Sequence, residues 1–193
     1  MSEATGATKK LSLTSYTSLF LIQAVSVCLA WVFLFYFNQS FLADFNVNPL
    51  VCWIFLPAFI RMLAVMLFDW AGVLGLMVGA FVTRDTHLIG LSTPIILAII
   101  SGLGPYLSVR FCQTTLKLSA SFEGLSALHL FVFALAGSVI NTGLNHAYYL
   151  YAEMACSVKT TFIPMLIGDF LGTLIMLYLA GITIKIIKRQ FLR

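Results

Sequence analysis

Residues Phe162 to Ile187 read FIPMLIGDFLGTLIMLYLAGITIKII, and this stretch decides the fold. The run is long enough to cross a lipid bilayer as one helix, because a span needs about 20 apolar residues. It carries one carboxylate, Asp169, between Gly168 and Gly172. An ionised Asp at the centre of a membrane helix costs about 2.5–3.5 kcal/mol. Two glycines four residues apart let a neighbouring backbone come close. We therefore predict a buried polar site at Asp169, with an interhelical hydrogen bond as the purely structural alternative.

The rest of the chain has the composition of an integral membrane protein. Of its 193 residues, 61% are hydrophobic and 9% are charged, and the mean hydropathy is +1.01. Soluble domains carry about 25% charged residues. At this length the spans leave no room for a sizeable soluble domain, so we expect no kinase, cyclase or nucleotide-binding module. The net charge of +4 comes from basic residues at helix ends. We therefore expect the lipid bilayer, and not nucleic acid, as a partner.

The apolar runs predict an all-α, polytopic membrane protein with six transmembrane helices in one bundle. A polar N-terminal tail, residues 1–14, precedes the six-helix domain, residues 15–188, and a basic tail, residues 189–193, follows it. The predicted helices cover residues 16–37, 49–68, 71–83, 88–111, 124–151 and 162–187. Pro57 is expected to kink the second helix. The third helix is short for a full crossing, so a re-entrant segment is the alternative. In it, Gly75 and Gly79 are expected to form a helix-packing face like that of Gly168 and Gly172.

The distribution of basic residues predicts the orientation. With six spans, one side of the membrane holds Lys9, Lys10, Arg110, Lys117, Lys185, Lys188, Arg189 and Arg193. The other side holds Arg84 and Lys159, and Arg61 lies inside the membrane. Because loops rich in Lys and Arg stay in the cytoplasm, both termini are predicted to be cytoplasmic. Five spans would place the basic C-terminus on the opposite side from Lys9 and Lys10. We expect the protein in the bacterial inner membrane.

Asp169, Asn141, Asn145 and Arg61 are the candidate residues for binding a ligand or a partner. Asn141 and Asn145 are four residues apart and share one helix face. We expect them in the outer half of the membrane, at a depth similar to that of Asp169. A carboxylate with nearby carboxamides suits a cation, a polar solute or a proton. Arg61 is predicted to lie about 8–10 Å deeper, at 1.5 Å per residue. It is either the countercharge of Asp169 or, as we favour, extends to the inner headgroups.

The other chemistry-bearing residues indicate neither a metal site nor an enzyme. The four cysteines (Cys28, Cys52, Cys112 and Cys156) lack metal-ligand spacing. We expect free thiols, with a Cys52–Cys156 disulfide as the alternative. His129, on an apolar helix, is predicted to be a core residue and not a ligand. Motifs of serine hydrolases, zinc proteases and P-loop enzymes are missing from the sequence, and so are paired intramembrane carboxylates. We expect no cofactor and no catalysis.

Several short motifs resemble those of a bacterial sensory domain. They are Trp53-Ile-Phe-Leu-Pro57-Ala58, Asp69-Trp70-Ala-Gly72-Val-Leu-Gly75, Gly79-Ala80-Phe81, Ser101-Gly102 to Arg110, and Gly168-Asp169-Phe-Leu-Gly172. Together they resemble the membrane-associated sensor domain of the MASE type-one kind. Such domains usually precede a histidine kinase or a cyclic-di-nucleotide enzyme, and their ligand is generally undefined. This chain departs from them by lacking an output domain and the Pro that usually follows the second glycine. The resemblance implies a stand-alone sensory-type protein, which would pass its signal to a partner or bind and move a solute itself.

Three functional hypotheses follow from these observations. The first is a sensory-type membrane protein that binds a small ligand or a partner membrane protein without catalysis. The second is a small-solute transporter, or the substrate-binding membrane subunit of a larger transporter. The third is a structural subunit of a membrane complex, which the glycine-lined helix faces favour. In each case we expect another membrane protein, a signalling or transport subunit, or a small molecule as partner.

Overall fold

The computed structural model describes residues 2–48, 51–84, 91–118, 126–154 and 157–191, and within them the side chains of residues 15–183. The described residues form α1 (Ser2–Phe41), α2 (Ala58–Phe68), α3 (Trp70–Val82), α4 (Ser92–Thr115), α5 (Ala127–Tyr151) and α6 (Ile163–Phe191). Between α1 and α2 lie a 3-10 turn, Ala43–Phe45, and two short antiparallel strands, β1 (Asn46–Asn48) and β2 (Val51–Cys52). A π-helical turn, Val158–Phe162, leads into α6.

The described residues include four helical segments that are long and apolar enough to cross a membrane. These segments are Ser15–Phe41, Ser92–Thr115, Ala127–Tyr151 and Val158–Thr183. The predicted all-α, multi-pass architecture is therefore confirmed. The helices α2 and α3 have 11 and 13 residues and are also apolar. A straight crossing needs about 20 residues, so each of these helices is too short to span a membrane alone.

The prediction of a second helix over residues 49–68 is wrong in its first half. The helix begins only at Ala58, and Pro57 precedes it as the N-cap residue instead of kinking its middle. Proline suits the start of a helix, because the backbone N–H that it lacks would have no helical partner there. Residues 51–57 are strand and irregular backbone, and we call them the entry segment.

The entry segment is not helical, and two of its backbone N–H groups donate to acceptors on neighbouring helices. The Phe55 N–H donates to the Gly168 carbonyl of α6 at 3.1 Å. The Leu56 N–H donates to Asn38 Oδ1 of α1 at 2.9 Å, and Asn38 is buried. Non-helical backbone is tolerated at membrane depth only where protein or water satisfies its polar groups. The N–H groups of Phe55 and Leu56 find such partners on α6 and α1.

Helices α2 and α3 form a tight antiparallel hairpin that turns at Asp69. Asp69 has φ 47°, in the left-handed region, and its carboxylate receives a hydrogen bond from Arg110 Nη2 of α4 at 3.0 Å. Gly72 lies against the Ala64 carbonyl of α2, where a Cβ atom would collide. The absence of a side chain therefore lets the two helices approach closely.

Helix α3 also packs against α1 and α4, and the contacts give the directions of the helices. Gly75 lies against Ala24, and Gly79 lies against Trp31, so α3 runs parallel to α1. Helix α4 runs antiparallel to α3. Its Gly102 contacts Val73 and Met77, and Arg110, two turns later, pairs with Asp69 at the start of α3. The predicted packing glycines, Gly75 and Gly79, thus face α1 inside the bundle.

Predictions for the cysteines and His129 have mixed outcomes. Cys28, Cys52 and Cys112 are free thiols. Cys156 lies outside the described residues. Because Cys52 is a free thiol, the structure does not contain the alternative, a Cys52–Cys156 disulfide. His129 is not a core residue: its ring accepts a hydrogen bond from the Ser126 N–H at the start of α5. The Ser126 hydroxyl oxygen accepts the His129 N–H in return, which completes a helix-capping arrangement.

Candidate functional site

The centre of the bundle holds a buried ion pair between α2 and α6. Arg61 Nη1 lies 2.7 Å from Asp169 Oδ2, and the two side chains are only 6% and 4% exposed. Asn141 of α5 donates its side-chain N–H to the same carboxylate oxygen. Three helices therefore meet at one oxygen atom. Hydrogen bonds to charged groups are roughly twice as strong as neutral ones.

This ion pair lies near the middle of the long apolar segments that carry Asp169 and Asn141. Asp169 is near the midpoint of the segment Val158–Thr183, and Asn141 is near the midpoint of Ala127–Tyr151. The prediction that Arg61 extends to the inner headgroups is wrong. That prediction placed Arg61 about three turns into a helix that began at Pro49. Because α2 begins at Ala58, Arg61 lies in its first turn and reaches Asp169 directly.

Two aromatic rings complete the surroundings of the Arg61 guanidinium. Its Cζ atom lies 5.2 Å from the centre of the Trp31 ring and 5.0 Å from the centre of the Phe55 ring. The two rings pack edge to face, with centroids 5.9 Å apart. The Trp31 indole N–H donates to the Thr83 hydroxyl oxygen at 3.1 Å, which fixes the ring. A desolvated cation–π contact contributes about 2 kcal/mol.

Sequence reasoning missed both aromatic residues, although one signal was present. Tryptophan in membrane proteins prefers the water interface, where its N–H finds a partner. Trp31 instead lies well inside the first apolar run and is buried. Phe55 gave no signal, because its position depends on the entry segment.

A line of polar groups continues from Asp169 along one face of α5. Asn145 donates its side-chain N–H to the Asn141 carbonyl at 2.8 Å and to Asn141 Oδ1 at 3.2 Å. Tyr149 follows one turn later, and all three residues are buried. The structure thus brings the four predicted site residues together, and Tyr149 extends the same face of α5.

Several buried polar atoms in this region have no hydrogen-bond partner among the described residues. Arg61 Nε, Asn145 Oδ1 and the Tyr149 hydroxyl are three of them. A small cavity beside Arg61 and Asp169, with walls that include Met62 and Pro105, has room for about one water molecule. Leaving a buried donor or acceptor unpaired costs about 1–3 kcal/mol. The network is therefore poised to accept further hydrogen bonds.

The glycines beside Asp169 support the entry segment. Gly168 lies against the Cys52 carbonyl, and Gly172 lies against the Phe55 carbonyl. A Cβ atom on either glycine would collide with these oxygen atoms. The neighbouring backbone at Asp169 is thus the non-helical entry segment, which delivers Arg61 and Phe55 to the site.

Comparison of the chain with protein-family models, with curated proteins and with solved structures finds no match. The resemblance to sensor domains of the MASE type-one kind therefore stays a prediction.

Proposed function

We propose that this protein is a six-pass, sensory-type protein of the bacterial inner membrane. It binds a small ligand, or a partner membrane protein, at the network of Arg61, Asp169, Asn141 and Asn145, without catalysis. The observation that carries this proposal is the incomplete pairing of a buried charged network. A network that served only to hold helices together would gain most by satisfying every member. Here Arg61 Nε and Asn145 Oδ1 are buried and have no hydrogen-bond partner in the part of the chain that the structure describes.

The directions of α1 to α4 suit a topology of six crossings, in which both termini lie on the same side. Helix α3 runs parallel to α1 and antiparallel to its neighbours α2 and α4. The entry segment together with α2 supplies the length that α2 alone lacks for the second crossing. With that composite crossing, the positive-inside bias favours cytoplasmic termini.

One observation favours the alternative of a small-solute transporter or a transporter subunit. The entry segment is irregular backbone at membrane depth, and the short helix α2 follows it with Arg61 in its first turn. Interrupted helices of this kind form the binding sites of many transporters. The third hypothesis, a structural subunit, was favoured by the glycine-lined helix faces, and these faces do not support it. Gly75, Gly79, Gly168 and Gly172 all pack within the chain and offer no free face to a partner.

The proposal is tested with the double variant Arg61→Met with Asp169→Asn, which removes both charges together. Replacing a buried ion pair by groups of similar volume is often neutral for stability. We therefore expect a folded protein that has lost its site. Wild type and variant are purified in mild detergent and compared by native mass spectrometry for bound small molecules and bound membrane proteins. We expect a species on the wild type that the double variant lacks.

The matched control is an exposed ion pair, Arg110 with Asp69, whose side chains are 44% and 54% exposed. The variant Arg110→Gln with Asp69→Asn should keep every species that the wild type binds. The same bound species on wild type and on the Arg61/Asp169 variant would reduce the network to a structural role.

A further inference from the structure

The small cavity beside the ion pair lies between α2, α4, α5 and α6. Its polar lining comes from the side chains of Arg61, Ser138, Asp169 and Thr173, and apolar residues and a glycine form the rest of the wall. None of the four polar residues is more than 6% exposed. The cavity has room for about one water molecule. A space of this size with four buried polar groups around it has the properties of a binding site.

The hydrogen bonds that these side chains already make decide what the cavity can bind. Ser138 donates its hydroxyl hydrogen to the Ala134 carbonyl, and Thr173 donates to the Asp169 carbonyl at 2.7 Å. Because a hydroxyl has a single hydrogen, both oxygen atoms are left as acceptors. Arg61 donates through Nη1 to Asp169 Oδ2, whereas its buried Nε–H has no hydrogen-bond partner among the described residues. The cavity therefore offers one free donor and at least two acceptors.

This set of groups suits an uncharged hydroxyl and not an ion. Arg61 and Asp169 already neutralise each other at 2.7 Å. A cation in the cavity would lie beside the Arg61 guanidinium, and an anion would lie beside the Asp169 carboxylate with one donor to bind it. A hydroxyl group both donates and accepts, so it can satisfy Arg61 Nε–H and the oxygen atoms of Ser138 and Thr173 together.

We propose that the cavity binds one uncharged hydroxyl group between Arg61 Nε–H and the hydroxyl oxygen atoms of Ser138 and Thr173. The proposal rests on the proposed function of this network and names the chemical class of its ligand. A water molecule and the terminal hydroxyl of a neutral solute share this chemistry. Buried water molecules typically make about three hydrogen bonds, and these three partners supply that number.

Thermal unfolding in a neutral detergent tests the proposal with two matched serines. Ser138 and Ser108 are both buried, and each donates to the carbonyl four residues earlier, but Ser108 does not line this cavity. Ser108→Ala should keep or raise Tm, because alanine is the better helix former. Ser138→Ala should lower Tm by roughly 2–4 °C, the usual shift for one lost buried hydrogen bond in a chain of this length.

Thr173→Val is the second variant, and Thr183→Val is its control. Thr183 also donates to the carbonyl four residues earlier, but it is exposed. Thr173→Val should lower Tm more than its control does. In the double variant of Ser138→Ala with Thr173→Val, the fall in Tm should be smaller than the sum, because both changes remove partners of the same bound group.

Two measurements distinguish the two sources of the hydroxyl. In protein with isotope-labelled arginine, a nuclear Overhauser effect between water and Arg61 Nε–H that Ser138→Ala abolishes would identify water. Glycerol is the probe for a solute. A bound solute raises the Tm of the wild type in a saturable way that Ser138→Ala lacks. The general effect of glycerol on stability comes from its exclusion from the protein surface, and it should be equal in both proteins.

Ser138→Ala and Thr173→Val variants as stable as their controls would overturn the proposal. Saturable stabilisation of the wild type by acetate or potassium at constant ionic strength would overturn the uncharged class. Arg61 and Asp169 are unchanged in all these variants. Failure of the proposed function therefore shows separately, as the same bound species on the wild type and on the Arg61/Asp169 variant.

Discussion

Arg61 is held by groups from four parts of the chain. Asp169 of α6 accepts its hydrogen bond, Trp31 of α1 and Phe55 of the entry segment supply aromatic faces, and Asn141 of α5 shares the carboxylate. A buried ion pair alone is weak support for a fold, because removing two charges from water costs several kcal/mol per ion. The additional contacts are what make this burial tolerable.

The first prediction concerns Trp31. The change Trp31→Leu removes the aromatic face over Arg61 and the indole N–H bonded to Thr83. Because Trp31 is only 2% exposed, the change also leaves a cavity. We expect a loss of about 2–4 kcal/mol in the free energy of unfolding. Reversible unfolding in mixed micelles measures it.

Phe33→Leu is the control, because Phe33 lies on the same helix and is 67% exposed. It should change stability by less than about 0.5 kcal/mol, as surface substitutions usually do. Equal losses for the two variants would show that Trp31 contacts lipid and not Arg61.

At the residue scale, the sequence identified the members of the site but not their geometry. Asp169, Asn141, Asn145 and Arg61 stand out because polar side chains are rare and costly in apolar runs. The distance between Arg61 and Asp169 depends on where α2 begins. The prediction began this helix at Pro49, nine residues too early. Tyr149 lies at the end of α5, where a tyrosine is typical of the membrane interface.

At the scale of elements, the non-helical backbone of the entry segment packs directly on the glycine face of α6. The glycine face of α6 receives backbone carbonyl groups of Cys52 and Phe55, and its Gly168 carbonyl accepts the Phe55 N–H. Any side chain on this face would push the entry segment away. Arg61 and Phe55 would move with it, so this contact sets the geometry of the site.

The second prediction therefore concerns Gly172. In Gly172→Ala the new Cβ atom would collide with the Phe55 carbonyl, a backbone group that cannot rotate away. We expect a loss of about 1–3 kcal/mol, which is typical of overpacking, and a larger loss for Gly172→Leu. Thermal unfolding in detergent measures the change.

Gly143 and Gly181 supply matched controls within helices, because a Cβ atom on either would meet nothing within 4 Å. Gly143→Ala should be neutral or stabilising by up to about 1 kcal/mol, since alanine has the better helix propensity. A Gly172→Ala variant as stable as Gly143→Ala would show that Gly172 faces lipid.

The apolar pattern predicted the long helices well and the interrupted one badly. The predicted runs 88–111 and 124–151 correspond to Ser92–Thr115 and Ala127–Tyr151. Residues 49–57 are also apolar, but hydropathy does not distinguish helical from irregular backbone when both are buried. The deciding contact, Phe55 with Gly168, joins residues more than one hundred positions apart. A periodic pattern within one segment carries no information about such a partner.

At the scale of the whole molecule, charge and helix direction lead to the third prediction. With six crossings, residue 193 is cytoplasmic and the turn around Asp44, after α1, faces the periplasm. Alkaline phosphatase fused at residue 193 should be inactive, and the same enzyme fused after residue 44 should be active. A phosphatase that is active at residue 193 would contradict the six-pass topology.

The membrane class of the protein was readable from composition alone, because 9% charged residues cannot cover a soluble surface. The close packing of the helices could not be predicted from composition. It depends on glycines that pair with particular carbonyl groups, such as Gly72 with Ala64. Without a hydrophobic force between helices in lipid, such close contacts determine which helices associate.

Arg61 and Asp169 form a buried ion pair around which the site is organised, and a double-mutant cycle measures the coupling between them. The free energy of unfolding is measured for the wild type, Arg61→Met, Asp169→Asn and the double variant. Each single change should cost about 3–5 kcal/mol, because it leaves the other group buried without its partner. The double variant should lose far less than the sum, whereas a cycle on the exposed pair of Arg110 and Asp69 should show a coupling of about 0–1 kcal/mol. Losses at Arg61 and Asp169 that simply add would contradict the account, because residues that do not interact have no coupling free energy.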